Sequence, residues 1–86
     1  MEVGYSPKAV QDLAYWKKSG NKKIQQKNFA LISSIEETPF TGIGSPEPLK
    51  HNLRGLWSRR INQEHRLIYE TSKNTIIIHS LVGHYN

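Results

Sequence analysis

The chain has 86 residues and a mass of 9.9 kDa, enough for one small domain with a thin core and too little for two. Twelve Lys and Arg against seven Asp and Glu give a net charge of +5 and a pI near 9.7, a balance that favours a polyanionic or acidic partner. The absence of Cys excludes a disulfide framework, a thiolate zinc site and a cysteine nucleophile, and the longest aliphatic run, Ile76 to Ile78, is far short of the roughly 20 residues of a membrane span. With no signal-peptide block at the N-terminus, a soluble cytoplasmic protein without membrane partners is expected.

In chain order, Val3 and Tyr5 alternate and predict a short strand over residues 1–5. Ser6-Pro7 then reads as an N-cap with proline in the first helical turn, opening a helix to about Lys18 that is stopped by Ser19-Gly20. Val10, Leu13 and Ala14, with Trp16 beside them, are its expected apolar face. Asn21 caps a second helix to about Glu37, where Ile24, Leu31, Ile32 and Ile35 form a stripe interrupted by Asn28. Lys17, Lys18, Lys22, Lys23 and Lys27 crowd the connection of this αα-hairpin, either as a solvated face or as a contact for RNA phosphate or the ribosome.

Residues 38–48 hold three of the four prolines and two of the six glycines, which predicts a stiff, irregular crossing. Beyond it, residues 57–61, 65–71 and 75–82 are rich in β-branched and aromatic side chains, separated by Asn62-Gln63-Glu64 and Ser72-Lys73-Asn74. The expected fold is therefore α+β, order βααβββ: one twisted antiparallel sheet with the helical pair on one face and the other face open to solvent or substrate.

All four arginines lie between Arg54 and Arg66. With Asn62-Gln63-Glu64 as the hairpin loop, Arg60 faces Arg66 on one side of the sheet, where like charges repel. Two forked guanidiniums sharing a phosphate would explain the pairing and could hold charge developing on a phosphorane; neutralisation by Glu64 and Glu70 is the alternative. Arg59 points to the opposite face in this register, a structural or rim position, and as a rim residue it joins the substrate-binding candidates. Glu47, held extended between Pro46 and Pro48, could act as a general base towards a ribose 2′-hydroxyl, or be an ordinary solvated glutamate. Lys50 and His51 follow it and could touch phosphate. At the chain end, His84 suits general acid work and Tyr85 could stack a base, unless the terminus is frayed.

Three signals are discounted. Gly42-Ile43-Gly44 lacks the lysine and helix start of a phosphate loop. His51, His65, His79 and His84 lack metal-ligand spacing, with His65 and His79 expected to be satisfied locally within strands. Ser58 has no evident base partner.

Thr38-Pro39-Phe40 through Gly42 and Gly44, Pro46-Glu47-Pro48-Leu49-Lys50-His51-Asn52-Leu53, Trp57-Ser58-Arg59-Arg60-Ile61, Glu64-His65-Arg66-Leu67-Ile68-Tyr69 and the closing His84-Tyr85, together with Tyr15-Trp16, resemble the Txe/YoeB family of toxin–antitoxin toxins over nearly the whole chain. The resemblance implies a RelE-like fold and a metal- and cofactor-independent endoribonuclease that cleaves mRNA at the ribosomal A site. It further implies a homodimer restrained by a YefM-like antitoxin. By motif, Glu47 would be the general base, His84 the general acid and Arg66 the main phosphorane stabiliser. Lys50 and Arg60 would assist, and Tyr85 would position the nucleotide. Gly83 stands where family members commonly carry a larger residue, and Asn86 extends past the usual closing tyrosine. Two other functions compete: a ParE-like gyrase inhibitor, which needs no acid–base pair, and a non-catalytic RNA- or ribosome-binding module, for which the charge alone would suffice.

Overall fold

The structure is a computed structural model and describes residues 1–83. The element order is β1 (Glu2–Tyr5), α1 (Pro7–Ser19), α2 (Lys22–Glu37), β2 (Glu47–Pro48), a 3₁₀ turn (His51–Leu53), β3 (Trp57–Arg60), β4 (Arg66–Ser72) and β5 (Thr75–Ser80). Helix α1 starts where the sequence places it, because the Ser6 hydroxyl accepts the Ala9 N–H and Pro7 occupies the first turn. It ends at Gly20, whose φ of 74° lets its N–H return to the Lys17 carbonyl. The Asn21 side chain caps α2 by accepting the Ile24 N–H at 3.1 Å.

The five strands form one sheet in the order β1-β5-β4-β3-β2. The expectation of a wholly antiparallel sheet is corrected at one edge: β1 lies parallel to β5, pairing Val3 with Ile76 and Tyr5 with Ile78. Ser6 fixes that edge, its N–H bonded to the Ile78 carbonyl and its hydroxyl to the His79 carbonyl. The other edge is the two-residue β2, which pairs Glu47 with Ser58 at the end of the Pro/Gly crossing.

Leu31 and Ile35 of α2 and Ala9 and Trp16 of α1 pack on Leu67, Tyr69, Ile76, Ile78 and Leu81. The face of α1 that packs differs from the apolar reading. Val10 and Ala14 are exposed, and Ala9, Asp12 and Trp16 are buried. The helix is rotated towards Asp12 because its carboxylate takes the Leu81 N–H at 2.8 Å and the Val82 N–H at 3.2 Å. Those bonds, together with the Lys8 ammonium at 2.8 Å from the same oxygen, offset the cost of burying a charged group.

Candidate active site

Successive residues of a strand point to opposite faces of its sheet. On β3 and β4, Arg59, Leu67 and Tyr69 face the helices, and Ser58, Arg60, Arg66 and Ile68 face away. Glu47 sits across from Ser58 on the edge strand and shares that outer face. Arg60 and Arg66 are direct cross-strand partners, as the three-residue loop requires. The Asn62 side chain stabilises that loop by accepting the N–H groups of Glu64 and His65 at 2.9 and 2.8 Å.

Among the described residues, the two arginines are not neutralised by acids. Glu70 is engaged by His79 at 2.7 Å, and among the described residues neither arginine lies within ion-pair distance of a carboxylate. Among the described residues, the Arg66 guanidinium makes one hydrogen bond, to the Asn62 carbonyl at 3.4 Å. Uncompensated like charge on adjacent strands is electrostatically unfavourable for the fold alone and leaves ten guanidinium protons, five on each arginine, almost entirely available to an anion.

Two grooves meet at Arg66. One, of about 320 Å³, is lined by Glu47, Lys50, His51, Ser58 and Arg66. It is walled by the β2–β3 connection, which Leu49 and Leu56 close with a 2.9 Å backbone bond and in which His51 adopts a left-handed φ of 59°. The other, of about 490 Å³, is lined by Lys27, Ser45, Arg60, Gln63 and Arg66. Glu47, Lys50 and Arg60 are exposed, and Arg66 is partly covered. The fold thus brings a carboxylate, a lysine and two arginines to one side of the sheet, as a general base and an anion site require. Lys27 joins this basic surface, although sequence reading grouped it with the helical hairpin; only the packing of α2 beside the Gly44-Ser45 segment reveals it. Ser58 forms part of the groove wall, and no basic side chain is hydrogen-bonded to it among the described contacts. His84 and Tyr85 lie outside the described residues, but the preceding Gly83 does not: its carbonyl accepts the Arg66 N–H at 2.8 Å.

Arg59 is the correction among the candidates. It is completely buried on the helix face, and its five N–H donors are all used. Nε donates to the Tyr69 hydroxyl at 3.2 Å. One terminal nitrogen donates to Ser34 Oγ and the Ile43 carbonyl, the other to the Thr38 and Thr41 carbonyls. No donor remains for a substrate. Arg59 instead organises residues 38–43: within the Gly42-Ile43-Gly44 stretch the Ile43 carbonyl turns inwards to the guanidinium, and the Gly44 carbonyl accepts the Arg60 N–H at 2.7 Å. The Tyr69 hydroxyl, which also donates to the Pro39 carbonyl, has its pKa raised by burial, a shift partly opposed by the hydrogen bond and charge of Arg59.

Of the two histidines expected to be satisfied within strands, His79 lies on β5 as expected, whereas His65 lies in the loop just before β4. His79 pairs with Glu70, and His65 accepts the Gly83 N–H through Nδ1 at 2.9 Å while its ring stands edge-on to Trp16.

Comparison with known proteins agrees with the motifs. A family described as the YoeB-like toxins of bacterial type II toxin–antitoxin systems matches residues 5–85. Toxin YoeB of Synechocystis is 49% identical over 85 residues, covering 99% of this chain and 98% of the relative. A YoeB dimer from Staphylococcus aureus superposes with a TM-score of 0.90 at 43% identity, and a YoeB–YefM complex from the same organism with 0.89 at 44%; each match covers 99% of this chain and 98% of the other. On sequence, fold and extent of match, the chain belongs to the YoeB-like toxins of bacterial type II toxin–antitoxin systems.

Proposed function

We propose that this toxin is a ribosome-dependent endoribonuclease that cuts mRNA in the A site by metal-independent transesterification. The observation that carries the reading is the unneutralised Arg60–Arg66 pair on the same sheet face as Glu47, with Arg66 and Glu47 lining one groove. Glu47 takes the proton of a ribose 2′-hydroxyl, the 2′-oxygen forms a bond to the adjacent phosphorus, and the P–O5′ bond breaks. His84 protonates the departing 5′-oxygen, leaving a 2′,3′-cyclic phosphate and a 5′-hydroxyl. Arg66 stabilises the doubly charged phosphorane, with Arg60 and Lys50 adding electrostatic support and Tyr85 stacking the nucleotide. Arg59 supports the scaffold and does not touch the substrate.

The exposed cationic groove also suits an acidic, disordered antitoxin segment that folds on binding. By likeness to the staphylococcal dimer and YoeB–YefM complex, this chain is a homodimer neutralised by a YefM-like antitoxin. Tight binding by an antitoxin stripped of its C-terminal segment would contradict that mode of neutralisation.

The test is product-end chemistry on translated mRNA. Fragments whose new 5′ ends accept phosphate from a kinase without prior dephosphorylation are expected, and Glu47→Ala should abolish them while the protein stays folded. New ends carrying a 5′-phosphate would contradict the mechanism. Intact messenger with broken DNA would point to gyrase poisoning instead.

A further inference from the structure

The proposed reaction uses the groove that holds Glu47 and, Arg60 apart, leaves the larger groove beyond Arg66 unassigned. That groove, of about 490 Å³, falls in the roughly 300–1,000 Å³ range of sites that take small ligands. Its described lining contains three cations, Lys27, Arg60 and Arg66, and no carboxylate, whereas the smaller groove carries Glu47. A wall with cations and no base suits the binding of an anion rather than proton transfer. Packing puts Lys27 there. A Cβ on Gly44 would stand 2.7 Å from a methyl of Leu31, and the Gly44 carbonyl accepts the Arg60 N–H at 2.7 Å, so Gly44 ties α2 to β3. Lys27 lies one turn before Leu31 on the same helix face and meets the groove beside Arg60. Its side chain is partly covered, whereas Lys22 and Lys23 are exposed, and among the described residues no carboxylate pairs with it.

We propose that this second groove holds the mRNA nucleotide adjacent to the cut, with Lys27 on the next phosphate along the strand. The proposal rests on the nuclease reading above. With the scissile phosphate on Arg66, a polymeric substrate has to continue past that side chain, and Arg66 lines both grooves. The continuation that offers further cations runs past Arg60 to Lys27. Phosphate contacts fix the register of a nucleic acid without reading its sequence, so Lys27 helps to set which linkage rests on Arg66. Ser45 and Gln63, both exposed, line the same groove and supply neutral donors and acceptors of the kind that meet a ribose or a base edge. A contact remote from the reacting atoms is alike in the ground and transition states, so it acts on binding and not on the chemical step.

The experiment measures single-turnover cleavage on programmed ribosomes over a range of protein concentrations, for the full-length protein, Lys27→Ala and Lys22→Ala. The mRNA is unmodified or carries a methylphosphonate, which removes the phosphate charge, at the linkage immediately 5′ or immediately 3′ of the cut. On unmodified mRNA, Lys27→Ala is expected to raise the half-saturating concentration about tenfold with the maximal rate unchanged. One of the methylphosphonates should raise it about as much for the wild type and add little to Lys27→Ala, and that linkage gives the side on which the strand leaves Arg66. Lys22→Ala, on the same helix but outside the groove, should lack this coupling. Lys27→Gln, which keeps most of the aliphatic stem, repeats the cycle if Lys27→Ala loses its thermal unfolding transition. Additive effects of the Lys27 variant and the methylphosphonate at both linkages overturn the proposal and assign Lys27 to another contact such as ribosomal RNA, while leaving the nuclease reading intact. A coupling of equal size in Lys22→Ala overturns it in the same way. A wild-type protein that leaves unmodified mRNA uncut overturns the nuclease reading itself, and the subsite with it.

Discussion

Arg59 and Arg60 are neighbours with opposite fates, because adjacent residues of a strand face opposite sides. One is fully buried with every donor used, the other exposed beside Arg66. Arg59→Met should therefore cost at least about 3 kcal/mol, since it strands the oxygens of Thr38, Thr41 and Ile43 that now accept from the guanidinium. Arg59→Lys should recover little, because a point ammonium cannot reproduce a five-donor fork. Urea unfolding checks both, and native stability in Arg59→Met would contradict the role. Arg60→Ala should leave stability within about 0.5 kcal/mol while lowering kcat about 100-fold. Tyr69 carries a pH prediction. Burial raises its pKa above the ordinary 10.0, so above that value the unfolded chain releases the phenol proton while the folded chain keeps it. This contribution to stability is complete below pH 10 and is lost as pH rises from there towards the folded pKa. Tyr69→Phe should remove that part of the alkaline decline in unfolding midpoint; an unchanged decline would contradict it.

At the scale of elements, Gly44 shows how tightly the crossing is packed. Its φ is 85°, and a Cβ there would stand 2.7 Å from a Leu31 methyl and 3.1 Å from the Arg59 Cβ, so Gly44→Ala should destabilise by about 2 kcal/mol or more. Helix α2 carries the opposite case. Asn28 is 2% exposed, and both polar atoms of its amide lack a hydrogen-bond partner among the described residues. It interrupts the packing rather than lying on an open surface. Asn28→Leu should raise the melting temperature, reflecting a gain of about 1–2 kcal/mol; a lower melting temperature would show that the amide is serving an unseen partner. Both helices, their caps and the β3–β4 register were legible in the sequence because each depends on local signals: Ser6-Pro7, Gly20, Asn21 and a three-residue loop. Parallel pairing of β1 was not, since it depends on contacts about 73 residues apart. Strand β2 was hidden by its length and its proline. The Asp12 contacts were invisible because they join a polar helix residue to backbone N–H groups 69 and 70 positions away. Glu47 and the arginine pair could be read as a site from residue type and parity, and parity also turned Arg59 to the opposite face; that all five of its donors are spent there required seeing its acceptors.

For the molecule as a whole, the +5 charge is distributed over two regions, the helical-hairpin lysines and the arginine face, with Lys27 reaching the groove beside Arg60. Reversing Lys22 and Lys23 to Glu should weaken ribosome association and flatten its salt dependence while kcat at saturation stays unchanged. A large fall in kcat would mean that the hairpin does more than dock. No helix among the described residues is long and apolar enough to cross a membrane. In the proposed reaction Glu47 and His84 act as base and acid on mRNA beside the arginine pair. Primer extension on a reporter messenger in reconstituted translation, with and without ribosomes, tests it most directly by comparing the native chain with His84→Ala. The account predicts cuts inside codons that require the ribosome and vanish in His84→Ala; full cleavage by His84→Ala, or an intact messenger with the native protein, would contradict it.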